Sequence, residues 1–308
     1  MHSSEFPVRK NAKQSYKERL GFAVSLCSLA GLVCIAIHIL FLYIFHDSPS
    51  SFPEQYINDM IVYVTSMLLP ALILGYLGNG VRTYFTPTEK KLPAGHCVLL
   101  VLFGFSGCIF FNDIVSILDG VLPQAGSATI YISPDFGSFF IILISSALFP
   151  AICEEVFFRG YIYSTLSRFG AGYAALVSAL FFGLMHFSLT QMLFAFLCGF
   201  MFGYIRYISQ NFILTVIVHF LNNAFSTVST FIRLTCSINA YQIYNIIAHA
   251  IFMLMLVGSA TLLSLCGIRL LLFRKRKAPL SFGKKLLHTA ASPAFLVFLA
   301  AAAAEKFI

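Results

Sequence analysis

The sequence predicts an all-α protein, a polytopic membrane helical bundle of about eight transmembrane helices with both termini on the cytoplasmic side. Three observations predict it. Charged residues are 10% of the 308, against about a quarter in a soluble domain, while AVILMFWYC reaches 59% and phenylalanine alone fills 34 positions. The charges gather at the two ends and in short gaps between long uncharged runs. Threaded alternately across a bilayer, those runs leave 18 of the 20 Lys and Arg on one side. Intrinsic disorder is excluded because it requires a chain poor in apolar residues. A soluble globule is excluded because it could not hide this much apolar surface from water.

Counting only Asp, Glu, Lys and Arg, the chain is uncharged across 20–46, 60–81, 92–112, 136–153, 169–205, 207–232 and 234–268. A spanning helix needs roughly 20 apolar residues, so most runs hold one pass. The run 169–205 holds two if the polar break from His186 to Gln191 is a tight turn. The run 136–153 continues helically to about Tyr163 and carries Glu154, Glu155 and Arg159 into a membrane helix. Spans are expected near 20–45, 57–79, 96–118, 138–164, 171–187, 190–208, 211–231 and 243–270. The chain divides into a basic segment 1–19, three helices within 20–137, a core 138–235, a last span within 236–273 and a basic tail 274–308. The Ala-rich run Ala290 to Ala304, with Pro293 near its start, is expected to lie as a helix at the cytoplasmic face.

The Lys and Arg bias sets the orientation, with the N-terminus inside. Only Arg233 falls in an outer loop, and Arg159 belongs to the membrane. The formal charge of +8 is therefore a topology signal aimed at anionic headgroups. It does not call for nucleic acid, and no soluble domain is left to bind it. The first run is longer than a signal-peptide core and lacks a small-x-small cleavage site, so it reads as an uncleaved span. The eight cysteines form no CxxC pair and read as free thiols, with Cys236 in an outer loop the oxidisable one.

Ionisable groups inside hydrocarbon cost a few kcal/mol and mark function by default. Between Gly137 and Ala304 the acidic residues are two neighbours, Glu154 and Glu155. Glu155 and Arg159, four apart, have the spacing of an ion pair on one helix face. Glu154, turned about 100° away, is left for chemistry. His186 closes the fifth span, and His219 and Asn223 share a face four apart. His38 and His249 also fall in spans and read as packed or hydrogen-bonded side chains. A desolvated carboxylate can take a proton from water, and an imidazole can hold or relay it. A second imidazole and an amide can donate to an oxyanion. One carboxylate with two imidazoles (Glu154, His186, His219) is equally a catalytic zinc set with an open water position. The residue types leave both forms open. HExxH is absent, so the residues do not settle the metal question; a water held by Glu and His without zinc is preferred, and the zinc form stays open.

Glu154-Glu155-x-x-x-Arg159, Phe182-x-x-x-His186 and His219-x-x-x-Asn223, in that order on successive membrane helices, resemble the three motifs of the CPBP family of intramembrane proteases. That family comprises type II CAAX prenyl proteases and relatives linked to bacteriocin processing and immunity. The resemblance covers roughly 138–235. It implies that Glu154 and His186 activate the attacking water, that His219 and Asn223 stabilise the oxyanion, and that Glu155, Arg159 and Phe182 support the site. It implies a peptide or lipidated protein substrate in the bilayer, with the active site toward the cytoplasm. Two rivals keep the spans: a non-proteolytic immunity or binding protein, and a transporter using Asp113 and Asp119 as an ion path. Transport would call for related halves or broken helices, and neither is evident.

One feature resists the convergence of these residues. His186 lies about 22 Å into its span, whereas His219 is only about 8 residues into its own, so upright helices would keep the two imidazoles apart.

Overall fold

A computed structural model describes residues 5–45, 52–77, 92–119, 136–186, 188–270, 273–274 and 278–307. The expected loop charges Arg82, Lys90 and Lys91 and the cluster residues Lys275 to Lys277 lie outside these. Among the described residues the secondary structure is helical, with no strand. The helices are α1 (Glu5–Phe45), α2 (52–77), α3 (Ala94–Asp119), α4 (136–167), α5 (Ala171–Leu184), α6 (Leu189–Ser209), α7 (Phe212–Thr235), α8 (Ile238–Leu265), α9 (Phe282–Ala290) and α10 (Pro293–Ala304). Seven of them, α1 to α4 and α6 to α8, are long and apolar enough to cross a membrane. The protein is a polytopic helical membrane protein.

The fifth expected span is shorter than a crossing. The 14 residues of α5 reach about 21 Å, against a hydrocarbon core of about 30 Å. Gly170 starts it abruptly with φ of 127°, a left-handed value that glycine adopts without steric cost. It ends before the break at Met185, and α6 restarts behind Ser188, whose hydroxyl accepts from the Gln191 N–H at 3.1 Å. His186 therefore sits in a turn beyond a short helix rather than at the exit of a full span.

Small residues let this hairpin close. A Cβ on Gly203 would sit 2.9 Å from Ala175 Cβ, and one on Gly199 would sit 3.2 Å from Ala179 Cα. Gly199 and Gly203 thus face Ala175 and Ala179 as a small-residue seam of the kind that drives helix association in lipid.

Three wide π-turns interrupt the spans around the centre: Val64–Leu68 in α2, and Leu143–Leu148 and Val156–Ile162 in α4. Two have a proline just downstream, Pro70 and Pro150. A helical proline lacks an N–H and displaces the carbonyl four residues back, here that of Ser66 or Ser146. A wide turn accommodates both effects. In the third the Phe158 carbonyl accepts the Tyr163 N–H and also the Oγ–H of Ser178 on α5, at 2.8 Å.

One end of the bundle collects basic residues, as the charge pattern requires. There Tyr16 and Lys285 both donate to the Phe169 carbonyl, at 3.5 and 2.5 Å, and Tyr204 donates to that of Arg269 at 3.1 Å.

The tail corrects the interfacial expectation. Helices α9 and α10, bent 64° to each other, run along α1. His288 Nε2 lies 3.2 Å from the Lys17 carbonyl oxygen, Phe298 fills the notch left by Gly31, and His38 bonds Glu305 at 2.6 Å. Lys17 and His38 are separated by about 32 Å of helix. Residues 12–17 and 305–307 consequently lie at opposite ends of α1, which departs from the expectation of both terminal segments on one side. Phe295 and Phe298 cause the difference, for both pack on Phe181 of α5, with ring centroids 5.5 and 4.5 Å away. Average hydropathy does not reveal such a partner.

All eight cysteines are free, and Cys266 is exposed as well as Cys236, so two thiols rather than one are accessible. Asp113 is held by His249 of α8 at 3.1 Å.

Candidate active site

The regular stretch Phe149–Glu155 of α4 lies between two π-turns and ends on the two carboxylates. Glu155 is fully buried and accepts from Arg159 Nη1 at 2.7 Å, as the spacing predicts. The same oxygen, Oε1, is 3.1 Å from Nδ1 of His219 on α7. The other imidazole nitrogen, Nε2, is 3.7 Å from Glu154 Oε2. His219 therefore bridges the adjacent carboxylates, and the two faces assigned to Glu154 and Glu155 from the helical angle converge on one ring.

Arg159 is also fully buried. Its Nε and Nη2, and Glu155 Oε2, have no hydrogen-bond partner among the described residues. Around the guanidinium, aromatic faces take the place of such partners. The guanidinium carbon is 4.5 Å from the Phe182 ring centroid, 5.0 Å from Phe202 and 5.8 Å from Phe158, within cation–π range. Gly199 permits this contact, since a Cβ there would sit 3.0 Å from Nη2 and 2.9 Å from the Phe182 ring. Phe202 also stacks on His219, centroids 5.2 Å apart.

His186 Nδ1 donates to the Phe182 carbonyl at 2.8 Å, one turn back. In the neutral ring this fixes the proton on Nδ1 and leaves the Nε2 lone pair to act as an acceptor. Asn222 Nδ2 donates to Asn223 Oδ1 at 3.1 Å, which leaves the Asn223 NH2 group free to donate. Asn222 was not singled out from the sequence, although it sits within the His219 motif.

Glu154, His186, His219 and Asn223 line one small cavity of about 130 Å³, walled also by Phe182, Phe202 and Tyr63. The expected obstacle, two imidazoles at different depths, is removed by the short α5. A larger cavity of about 1060 Å³ shares Glu154, His186 and Tyr63. It extends between α1 and α2 to Phe45 and Gln55, with further walls from α4 and α6.

Among the described residues no three His, Cys, Asp or Glu side chains are grouped so as to hold a metal ion.

Residues 136–225 match the family model described as Type II CAAX prenyl endopeptidase Rce1-like. Those residues are similar to that family. The matched region begins at the start of α4 and ends two residues past Asn223, so it contains every residue described above as carrying the polar cluster. No curated protein and no solved structure matches the chain at a significant level. Helices α1 and α2, which wall the larger cavity, lie outside the matched region.

Proposed function

We propose that the protein is a CAAX-type intramembrane endopeptidase in which Glu154, assisted by His186, activates a water, and Asn223 and His219 stabilise the oxyanion. The observation that carries this reading is the placement of these four side chains around one small cavity that adjoins a much larger, mainly apolar one.

The chain's own residues suffice for the steps. Glu154 takes one proton from water as the oxygen attacks the carbonyl carbon, and His186 Nε2 accepts the hydrogen bond from the second O–H. The oxyanion that forms accepts from Asn223 Nδ2 and from His219 Nε2. Glu154 then returns its proton to the amide nitrogen as the C–N bond breaks. With His219 as imidazolium, Glu154, Glu155, His219 and Arg159 sum to zero charge, the condition under which buried ions are tolerated. Desolvated donors aimed at a developing oxyanion are worth more than in water. No metal enters this scheme. The substrate is a peptide or lipidated protein that enters the large cavity, and the side of the membrane from which it enters follows the α1–α2 end.

The test uses purified protein in liposomes with a farnesylated CAAX peptide and a membrane-peptide library, products being located by mass spectrometry. Cleavage at defined bonds, unchanged by chelator, is expected. Activity lost to chelator and restored by zinc would overturn the metal-free scheme, and intact peptides throughout would favour a non-proteolytic binding or immunity role.

A further inference from the structure

We propose that Tyr63 of α2 is a further substrate-binding residue, whose hydroxyl donates to the backbone carbonyl of the peptide group next to the cleaved bond. The inference rests on the reading of the site as a peptidase.

The two cavities share five lining residues, Tyr63, Ser146, Glu154, His186 and Phe194, which form the neck between them. The small cavity is about 130 Å³ against about 1060 Å³ for the large one, so most of a bound peptide lies in the large one. His219 and Asn223, the oxyanion donors of the reading, line the small cavity but not the large. With the cleaved bond held at those donors, the chain leads out through the neck. The first group to reach it is the adjoining peptide unit, about 3.8 Å further along.

At this neck Tyr63 offers a donor that the protein does not use. A tyrosine held within a fold ordinarily spends its hydroxyl on the protein, as Tyr16, Tyr173 and Tyr204 do on the Phe169 carbonyl, Thr289 and the Arg269 carbonyl. Tyr63 is half-buried, yet its hydroxyl forms no hydrogen bond among the described residues. Serine hydroxyls of the large cavity are taken by their own helices: Ser66 donates to the Val62 carbonyl at 2.6 Å and Ser145 to that of Ile142 at 3.2 Å. A serine such as Ser146 can always turn onto its helix in this way, whereas a phenol hydroxyl stands a ring's length beyond its own backbone. A peptide carbonyl drawn from water into the neck needs a donor, because an unmet buried acceptor is costly. Tyr63 supplies it.

The experiment measures kcat/KM in liposomes for the wild type and Tyr63→Phe, which keeps the ring and removes only the donor. The substrates are one peptide that the wild type cleaves and two analogues in which a trans-alkene replaces the amide just before or just after the cleaved bond. Tyr63→Phe should unfold at the wild-type temperature and lose about tenfold in kcat/KM on the parent peptide. On one analogue the wild type should show a similar loss, and Tyr63→Phe should cost nothing further there, because both changes remove the same hydrogen bond. Losses that add on both analogues overturn the proposal, since the phenol would then act elsewhere than on a flanking carbonyl. So does a lowered unfolding temperature for Tyr63→Phe, which would assign the hydroxyl to the fold. A wild type that cleaves no peptide removes the peptidase reading and the proposal with it, whereas cleavage of the parent peptide at equal rates by the two proteins removes the proposal alone.

Discussion

At Glu155 a guanidinium and an imidazole meet one carboxylate oxygen, 2.7 and 3.1 Å away. With Glu155 and Arg159 wholly out of contact with solvent, the energetics are those of a buried pair, in which removing one partner strands the other. Glu155→Gln should therefore destabilise the protein by about 3–5 kcal/mol, read as a large drop in thermal unfolding temperature in detergent. Glu155→Leu combined with Arg159→Leu should recover much of that stability, because apolar replacement of a buried pair is often neutral, yet leave no activity, because His219 loses the acceptor on its Nδ1. A Glu155→Gln protein as stable as the wild type would contradict this account. These residues were legible in the sequence for a simple reason: in a stretch from Gly137 to Ala304 with only two acidic side chains, burial in lipid leaves them no incidental role. Asn222 was not legible, because its contribution is the orientation of one amide by another.

At the scale of the element, the short α5 and its glycine seam decide where His186 lies. The sequence showed the break between His186 and Gln191 but not that the helix before it stops short of a crossing, since length was counted from charge to charge. The π-turns were equally hidden. Pro70 and Pro150 were visible signals, and the physical step from a proline to a wide turn around Ser66 and Ser146 could have been taken. The seam predicts a contrast. Gly203→Leu drives a side chain into Ala175, already 2.9 Å from an ideal Cβ, and should cost about 1–3 kcal/mol by overpacking. Gly258→Leu, on α8 where no atom lies within 4 Å of the new Cβ, should stay within about 0.5 kcal/mol of the wild type. Thermal unfolding of the two variants side by side checks this, and equal stabilities would mean that α5 and α6 do not pack at the described distance.

For the whole molecule, the seven spans were readable from charge-free runs, because a bilayer converts hydropathy directly into length. The tail was not, because its placement depends on partners far away in the chain: Glu305 on His38, 267 residues apart, and Phe298 against Gly31. The same limit applied to the large cavity, whose walls join α1 and α2 to α4 and α6. The assembled picture is a helical membrane protein whose Rce1-like region surrounds a polar pocket, with the first two helices forming much of the adjoining chamber. Its central claim is that Glu154 activates water in that pocket. The most direct measurement is the cleavage rate of a peptide substrate by Glu154→Gln and by the wild type, both in liposomes and both shown to be folded by their unfolding temperatures. The account predicts a loss of about 100- to 10,000-fold in kcat for Glu154→Gln, and equal rates for the two proteins would contradict it.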